Sequence, residues 1–325
     1  MDNSRIMKIL DEFKNKRILV IGDLMLDKYL WGDVSRISPE APVQIVHVGK
    51  ETFAPGGASN VAANVSSLGG HASMVGIVGD DEARKTLVNE LEKINIDTKG
   101  IVIDSDKPTI QKIRVMGRGQ QLIRVDYEKK EHIHEKIEKS MIDFVKKNIG
   151  NVDVIVISDY AKGVVTKNIT KETISIARNS SVPVIVDPKP EHREFYKNAT
   201  LITPNTAEAC QLAQMEEGDD EDIMKIGKKL VKSINSNILI TRSEKGMSLF
   251  ELDGKVTSIP AKAREVYSII GAGDTVVAAI ALAMASGASL KECAEISNVA
   301  AGIKVGKIGT ASVTIDEIKR ELHNL

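Results

Sequence analysis

The chain has 325 residues, of which 42% are hydrophobic and 27% are charged, so it is long enough to bury a substantial core. Its 44 lysines and arginines nearly balance 45 aspartates and glutamates, and the net charge of −1 gives no electrostatic reason to expect a nucleic-acid partner. Its two cysteines, Cys210 and Cys293, suggest neither a metal site nor a disulfide framework. The N-terminus is charged and helical in pattern rather than an apolar signal region, and no apolar run reaches the ~20 residues that cross a bilayer. These features predict a cytoplasmic protein with no membrane partner.

Apolar runs that are typical of buried strands recur along the chain, and each ends in a polar or glycine-containing turn. They occupy residues 17–23, 153–159, 182–187, 200–203 and 237–241. Helices are predicted at about residues 58–68, 82–94, 134–148, 167–179, 220–234, 274–286, 290–305 and 315–322. Continuous apolar strands that alternate with helices indicate an α/β fold with a mainly parallel central sheet, covered by helices on both faces.

Two stretches, at about residues 29–52 and 108–127, alternate polar and apolar side chains instead. Alternation of this kind is typical of half-exposed antiparallel strands. We expect them to form a small β-strand lid over the open edge of the sheet. Because no repeat or flexible linker divides the chain, residues 1–325 are predicted to form a single domain that carries this lid.

Polar residues follow several of the predicted strands. Asp23, Asp159, Asp187 and the turn at Asn205 all come directly after an apolar run. In open α/β sheets, ligands bind outside the carboxyl ends of the strands. These residues are therefore expected to converge on one crevice.

A glycine-rich turn, Gly271-Ala272-Gly273-Asp274, precedes an apolar helix. Glycines let backbone N–H groups approach an anion, and the helix dipole adds positive potential, which suits a phosphoryl group in transfer. Asp274 is placed to accept a proton from an attacking hydroxyl. Taken alone, the same residues are equally compatible with a plain turn at a helix start.

Two further motifs also have two interpretations. Gly56-Gly57 would let the backbone pack closely on a sugar, and Asn60 and Asn64 share one helical face from which amides can bond hydroxyls. Alternatively, this is a turn and an Asn-capped helix. The segment Asn205-Thr206-Ala207-Glu208 has the spacing of a helix capping box, which is compatible with a second role in binding.

Occurring together and in this order, the three motifs resemble those of the ribokinase-like (PfkB) carbohydrate kinases, and the resemblance covers nearly the whole chain. It implies a ribokinase-like fold and an ATP- and Mg²⁺-dependent sugar kinase with Asp274 as catalytic base and the Gly271–Gly273 amides as an anion hole. It also implies that Asn205, Thr206, Ala207 and Glu208 serve ATP, with Glu208 binding hydrated magnesium through water.

The resemblance extends to further nucleotide-binding positions. Thr241, Arg242, Ser243 and Gly246 resemble the family's nucleotide-side loop, and Asn298 and residues 305–310 match positions near the adenine and a cation loop. Relatives often pair through their lids, which implies a homodimer here.

Within the family, longer stretches at residues 22–29, 35–42, 120–124, 158–163 and 186–189 resemble heptose kinases, including the kinase half of bifunctional heptose kinase/adenylyltransferases. This implies phosphorylation of D-glycero-β-D-manno-heptose 7-phosphate at its anomeric hydroxyl, giving the 1,7-bisphosphate, toward ADP-heptose for lipopolysaccharide core or a related glycan. No His-x-Gly-His nucleotidyltransferase signature occurs in the sequence, so we expect a monofunctional kinase.

A phosphorylated substrate needs cations, and guanidinium and ammonium groups suit phosphate oxygens. We predict Arg36 and Lys162 for this role, with Arg114 and Arg118 as further candidates. Asp23 and Asp27 are predicted to bind sugar hydroxyls, because carboxylates buried after a strand need polar partners.

One segment departs from the family pattern. Ser268 and Ile270 stand where relatives commonly carry an aspartate and a threonine that help to form a monovalent-cation site, so activation by K⁺ is left open. Two other functions also remain open. One is a kinase of the same fold acting on ribose, fructose phosphate or a nucleoside, and the other is a catalytically silent sugar- or nucleotide-binding regulator.

Overall fold

The structure, a computed structural model, describes residues 3–261, 267–307 and 311–323. Its strands are β1 Arg17–Gly22, β2 Leu24–Ile37, β3 Gln44–Gly57, β4 His71–Val78, β5 Asp97–Ile103, β6 Ile110–Gly117, β7 Gln120–Tyr127, β8 Val154–Ser158, β9 Val184–Asp187, β10 Leu201–Ile202, β11 Asn237–Thr241, β12 Met247–Phe250 and β13 Val256–Ile259. Its helices are α1 Asn3–Asp11, α2 Ala58–Ser67, α3 Glu82–Lys93, α4 Glu135–Asn148, α5 Lys167–Asn179, α6 Thr206–Ala213, α7 Asp220–Leu230, α8 Ala272–Ala285, α9 Leu290–Val305 and α10 Ile315–His323.

Within the described residues, the larger sheet has nine strands in the order β13-β12-β11-β10-β9-β8-β1-β4-β5. The strands from β11 to β5 pair in parallel, and β12 and β13 add an antiparallel edge. The chain leaves β1 toward β4 on one side and returns as β8 on the other. A reversal of this kind opens a crevice at the carboxyl ends of the strands, and the β1–β8 boundary is therefore where a ligand is expected.

The central strands bury both faces, as their continuous apolar character predicts. Along β1, Ile18 and Val20 pack with α1, α2, α8 and α9 on one side. Leu19 and Ile21 point to the opposite side, against α4 to α7, because successive strand residues face opposite ways. Helix α8 is buried on all sides from Asp274 to Ala283, which holds its N-terminus rigidly beside the crevice.

A second, four-stranded sheet has the order β3-β2-β6-β7. It pairs β2 with β3 and β6 with β7 in antiparallel fashion, while β2 and β6 run parallel. This sheet is the predicted lid, but its first two strands are longer than predicted. Leu24 already pairs with Gly57, so β2 and β3 extend into the core and carry Asp27 and Gly56 as strand residues.

Candidate active site

The N-terminus of α8 has the geometry of an anion site. Gly271 has a φ of 74°, a conformation that favours glycine, and it caps the helix. The N–H of Ala272 donates to the Ile269 carbonyl at 3.3 Å. The N-terminal N–H groups of the next residues, including Gly273, point along the helix axis, where an anion binds. Asp274 lies in this same first turn and is 8% exposed.

The Asp274 carboxylate is held at both oxygens by donors from other parts of the chain. Asn60 Nδ2 lies 2.5 Å from Oδ2, and Tyr160 Oη lies 2.8 Å from Oδ1. Burial raises the pKa of Asp274 above its usual value, and the hydrogen bonds from Asn60 and Tyr160 oppose this rise. The result is a shielded but oriented carboxylate, which is what a general base requires.

Asn64 links α2 to α8. Its Nδ2 donates to the Asn60 carbonyl at 2.8 Å, and its Oδ1 accepts from Thr275 Oγ1 at 2.8 Å. Asn64 is only 2% exposed. Asn64 thus fixes Asn60 beside Asp274, and a contact of Asn64 with a sugar stays a prediction.

The two glycines Gly56 and Gly57 are surrounded by protein atoms. A Cβ on Gly56 would come within 2.9 Å of the Asp27 carboxyl carbon. Gly57 has a φ of 55°, and a Cβ there would lie 2.6 Å from the Asp23 carbonyl. Glycine at both positions lets β3 pass close to these aspartates and enter α2 directly. Sugar binding by these glycines stays a prediction.

The two aspartates predicted to bind sugar differ in accessibility. Asp23 is fully buried and its carboxylate accepts the backbone N–H groups of Tyr160, Lys162 and Val164 at 2.9, 3.2 and 3.1 Å. Burial and the nearby Asp159 raise the pKa of Asp23 to about 6. Asp23 therefore positions the loop that follows β8, and its contact with a sugar hydroxyl stays a prediction.

Asp27 instead lies in the crevice. Its Oδ1 is 2.8 Å from Arg114 Nη1, and its charge contributes to the raised pKa of Asp274. Arg114 also covers the Tyr29 ring at 5.2 Å. The lid strands β2 and β6 therefore bring a carboxylate and a guanidinium to the mouth of the site.

The other cationic side chains that were predicted to bind phosphate lie in different parts of the structure. Lys162 Nζ pairs with Glu128 at 2.7 Å near the lid. Arg36 is exposed and lies nine positions beyond Asp27 along β2, about 30 Å away at the rise of an extended strand. Arg118 donates to a lid carbonyl at 2.8 Å. Within one chain, Lys162 therefore lies nearer to Asp27 and the crevice than Arg36 does, and phosphate binding by either residue stays a prediction.

The predicted capping box at the start of α6 is confirmed. Asn205 Oδ1 accepts the Glu208 N–H at 2.9 Å, and Glu208 Oε2 accepts the Asn205 N–H at 3.1 Å. Glu208 Oε1 also lies 2.5 Å from Lys189 Nζ. Thr206 Oγ1 donates to the Thr241 carbonyl at 3.3 Å, which joins this turn to the end of β11. The exposed Ala207 lies in the same first turn of α6.

The loop between β11 and β12 adjoins that turn. Ser243 and Gly246 have positive φ values of 50° and 85°, and Arg242 bonds Asp220. Asn298 Nδ2 donates to the Pro260 carbonyl at 2.9 Å, just after β13. The predicted nucleotide-side residues therefore lie in turns near the ends of β11 and β13, and their contact with ATP stays a prediction, while residues 308–310 lie outside the described part of the chain.

The carboxylates of Asp187, Asp274 and Glu208 interact electrostatically between the predicted sugar-binding and nucleotide-binding residues. Burial, Asp274 and Glu208 together raise the pKa of Asp187 well above its usual range. Such a concentration of negative charge fits a hydrated magnesium ion, which would relieve it. In residues 3–261, 267–307 and 311–323, no three His, Cys, Asp or Glu side chains are grouped as direct metal ligands.

Comparison with known proteins decides the family. Residues 15–317 match the model of the pfkB family carbohydrate kinases. The chain belongs to this family. It is therefore a sugar kinase, as the resemblance predicted, and the catalytically silent alternative is not supported.

Two curated relatives make the likeness more specific. The chain is 44% identical over 301 residues to the bifunctional protein HldE of Geobacter sulfurreducens, covering 92% of the chain and 61% of the relative. It is 43% identical over 314 residues to HldE of Sulfurimonas denitrificans, covering 96% of the chain and 65% of the relative. The chain thus spans less than two-thirds of the length of these relatives.

The fold is also found among solved structures. Arabidopsis thaliana ribokinase, solved with ribose and ATP, superposes with a TM-score of 0.74 at 21% identity, covering 94% of this chain and 98% of that one. This likeness confirms the ribokinase-like fold with its central sheet and lid. In the described parts of the chain, no helix is both long and apolar enough to cross a bilayer.

The departure from the pfkB family pattern before the glycine turn has a visible local structure. Ser268 Oγ accepts the Ile270 N–H at 3.3 Å, and the Val305 carbonyl accepts the N–H groups of Tyr267 and Ser268. A hydroxyl therefore stands where the family resemblance implies a carboxylate. Residues 308–310 of the predicted cation loop lie outside the described residues.

Two residues at the site, Tyr160 and Lys304, had not been predicted individually. Tyr160 lies within the family-like stretch 158–163, but nothing in that stretch signals a contact with Asp274. Lys304 is 3% exposed, and its Cε lies 3.6 Å from where a Cβ on Gly271 would be. The sequence feature that could have indicated Lys304 is its place on the apolar face of the predicted helix. Asp187 was expected only as a strand-end carboxylate.

Proposed function

We propose that the chain transfers the γ-phosphoryl group of ATP to the anomeric hydroxyl of D-glycero-β-D-manno-heptose 7-phosphate, giving the 1,7-bisphosphate for ADP-heptose biosynthesis. The observation that carries the kinase chemistry is the doubly held Asp274 carboxylate at the N-terminus of α8. The choice of heptose is supported by the 44% identity to HldE.

Asp274 is the general base of the proposed reaction. The anomeric hydroxyl gives its proton to the carboxylate while its oxygen attacks the γ-phosphorus, and the bond to the β–γ bridging oxygen breaks to release ADP. The N-terminal amides of α8 stabilise the negative charge on the phosphoryl group in transfer. When Mg²⁺ is bound, it neutralises charge on the ATP phosphates, and Glu208 is the residue proposed to hold it through water.

The remote 7-phosphate needs a basic pocket, and the lid provides a candidate. Arg114, Lys162 and Lys112 lie near the mouth with side chains 12%, 14% and 16% exposed. Arg114 pairs with Asp27, Lys162 with Glu128 and Lys112 with Asp126. The oxygens of a bound phosphate would replace these carboxylates as partners of the cations. Arg114 and Lys162 are the residues we propose to bind it, with Arg36 outside reach within one chain.

The decisive experiment is a coupled assay of ADP release with authentic heptose 7-phosphate, run beside ribose, fructose 6-phosphate and a nucleoside. We expect turnover with heptose 7-phosphate to exceed that with ribose and the nucleoside by at least about 100-fold in kcat/KM, because a site that pairs cations with a substrate phosphate discriminates strongly against substrates without it. Fructose 6-phosphate, which carries a phosphate, tests whether the site also recognises the heptose itself. Turnover confined to a non-heptose sugar would refute the substrate and leave the kinase class intact.

Two further properties are part of the proposal. Use of ATP is consistent with a cytoplasmic enzyme, as are two buried free cysteines. Exposed apolar side chains on the lid, including Trp31, Ile37 and Ile123, support a homodimer that pairs through the lids.

A further inference from the structure

We infer that Tyr160 is a positioning residue for the catalytic base, fixing one oxygen of the Asp274 carboxylate. This inference rests on the proposed role of Asp274 in phosphoryl transfer. Tyr160 takes no part in the bonds that form or break, and it acts through the hydrogen bond to Asp274.

The geometry assigns each carboxylate oxygen its own donor. Tyr160 Oη reaches Oδ1 at 2.8 Å from the loop after β8, while Asn60 Nδ2 reaches Oδ2 at 2.5 Å from α2. Rotation of the carboxylate about its terminal bond would break both contacts. Each oxygen has a second acceptor position, so a sugar hydroxyl can still approach the carboxylate while it is held.

Tyr160 is itself held firmly enough to do this. Its backbone N–H donates to Asp23 at 2.9 Å, and the next N–H, of Ala161, donates to Asp159 at 2.7 Å. Lys189 Nζ stands over its ring at 5.8 Å from the centroid. The buried aspartates therefore have a purpose at the site, since they determine where the Tyr160 hydroxyl is placed.

The surroundings keep the Tyr160 hydroxyl protonated. Burial and the charges of Asp274, Asp187 and Asp27 raise the pKa of Tyr160 well above its usual value. A phenol that retains its proton throughout the working range can only donate to an ionised carboxylate. This donation lowers the pKa of Asp274 and so opposes the effect of burial.

Other groups around Asp274 contribute to the same balance. Asp27 from β2 raises the pKa of Asp274, whereas Asn60 from α2 and Lys304 from α9 lower it. Asp187 at the end of β9 also interacts with Asp274 electrostatically. Removing only the Tyr160 hydroxyl leaves all these groups in place, so its contribution can be measured separately.

The test is the pH dependence of kcat/KM for Tyr160→Phe, using the sugar phosphate that the wild-type enzyme phosphorylates best. We expect the acidic limb to move to higher pH by about half to one unit, because a hydrogen bond that favours the carboxylate is lost. We also expect kcat to fall about 10-fold, with the KM of the sugar changed less than about threefold.

Tyr196→Phe is a matched control. Tyr196 is fully buried and its hydroxyl donates to Asp159 Oδ2 at 2.6 Å, so this variant also loses a buried bond from a phenol to an aspartate. The support of Tyr160 remains, because Ala161 binds the other oxygen, Oδ1, and His192 Nδ1 still lies 2.6 Å from Oδ2. It is expected to unfold at a lower temperature while its acidic limb stays in the wild-type position. An unmoved limb in Tyr160→Phe, or an equal shift in both variants, would overturn the inference.

A second variant predicts the opposite sign and does not depend on the Phe variant folding. 3-Fluorotyrosine placed at position 160 keeps the hydroxyl but makes it a stronger donor, so the acidic limb should move to lower pH. A limb that stays in place or moves upward would contradict the inference. Failure of the proposed substrate would appear separately, as wild-type enzyme that ignores heptose 7-phosphate but phosphorylates another sugar.

Discussion

Asp274 and Asp23 are both buried carboxylates with raised pKa values, yet their partners give them different roles. Asp274 accepts from two side chains and retains a small exposed fraction. Asp23 accepts from three backbone N–H groups and has no exposed surface. The first arrangement leaves room for a reacting hydroxyl, and the second stabilises a loop.

Replacing Asp274 with Asn tests the base directly. Asn keeps the shape of the side chain but accepts no proton, so kcat should fall by about 10²–10⁴-fold. The affinity for ATP, measured by calorimetry, should remain close to wild type because the amides of α8 are unchanged. Turnover at the wild-type rate would exclude Asp274 as the base.

The raised pKa of Asp23 predicts a pH-dependent stability. Since the folded state binds this proton more tightly, with a pKa of about 6 against 3.8, its contribution is fully present below about pH 4 and is lost as pH rises through 6. The difference is about 3 kcal/mol at most.

Urea unfolding of the wild type and of Asp23→Asn at several pH values measures this effect. The difference in free energy of unfolding, wild type minus variant, should decrease between pH 4 and 6 and then level off. A difference that is constant across this range would contradict the prediction.

At the scale of elements, two helices begin with the same N-terminal capping motif at different distances from the proposed nucleotide site. Both α6, at Asn205 and Glu208, and α9, at Ser289 and Glu292, have complete capping boxes. The first lies beside the proposed nucleotide site, and the second lies at the far end of α9 from Lys304. A comparison of the two capping boxes therefore distinguishes the effect of capping from that of ligand binding.

Asn205→Ala and Ser289→Ala should each lower the free energy of unfolding by about 1 kcal/mol, because each removes an N-cap acceptor. Only Asn205→Ala should also raise the KM of ATP, by several-fold, since its turn faces the crevice. Thermal unfolding and ATP saturation curves measure the two effects. An unchanged KM for ATP in Asn205→Ala would leave that residue with a capping role alone.

How well each element could be predicted follows from its length and composition. The continuous apolar strands β1, β8 and β11 were predicted nearly to the residue. Strands β4 and β5 were missed because each contains a glycine. In β4 a Cβ on Gly76 would lie 2.5 Å from the Gly22 carbonyl, a requirement of strand packing that no local pattern reveals. The predicted helix 220–234 ends instead at Leu230, followed by a π-helical turn over Val231–Asn235.

The site was predictable in its parts but not in its contacts. Asp274 and Asn60 were recognisable from motifs, whereas their 2.5 Å contact joins residues 214 positions apart. Tyr160 reaches the same carboxylate from a third segment. Contacts of this kind depend on where β8 ends and where α2 and α8 begin in space, which the sequence pattern does not specify.

At the scale of the whole molecule, the lid leaves apolar surface exposed. Trp31, Val48, Ile123 and Tyr127 are 39%, 47%, 57% and 50% exposed on its strands. Exposed strands with apolar side chains tend to pair with another chain. This is the physical basis for the proposed homodimer.

Ile123→Glu should convert the dimer to a monomer, because it places a charge on the proposed interface. Leu252→Glu is the control, since Leu252 is similarly exposed, at 51%, but follows β12 away from the lid. Sedimentation velocity measures both. A wild-type monomer, or dissociation by both changes alike, would contradict pairing through the lids.

The direct passage of β3 into α2 at Gly57 has a consequence for ATP in the absence of sugar. No loop separates the lid strand from the helix that carries Asn60, so we propose that a tilt of the lid is transmitted to the residue that holds Asp274 Oδ2. Closure over a sugar would then also adjust the position of the base. Water alone does not provide the contacts that would close the lid, and for this reason we expect the enzyme to hydrolyse very little ATP when no acceptor is bound.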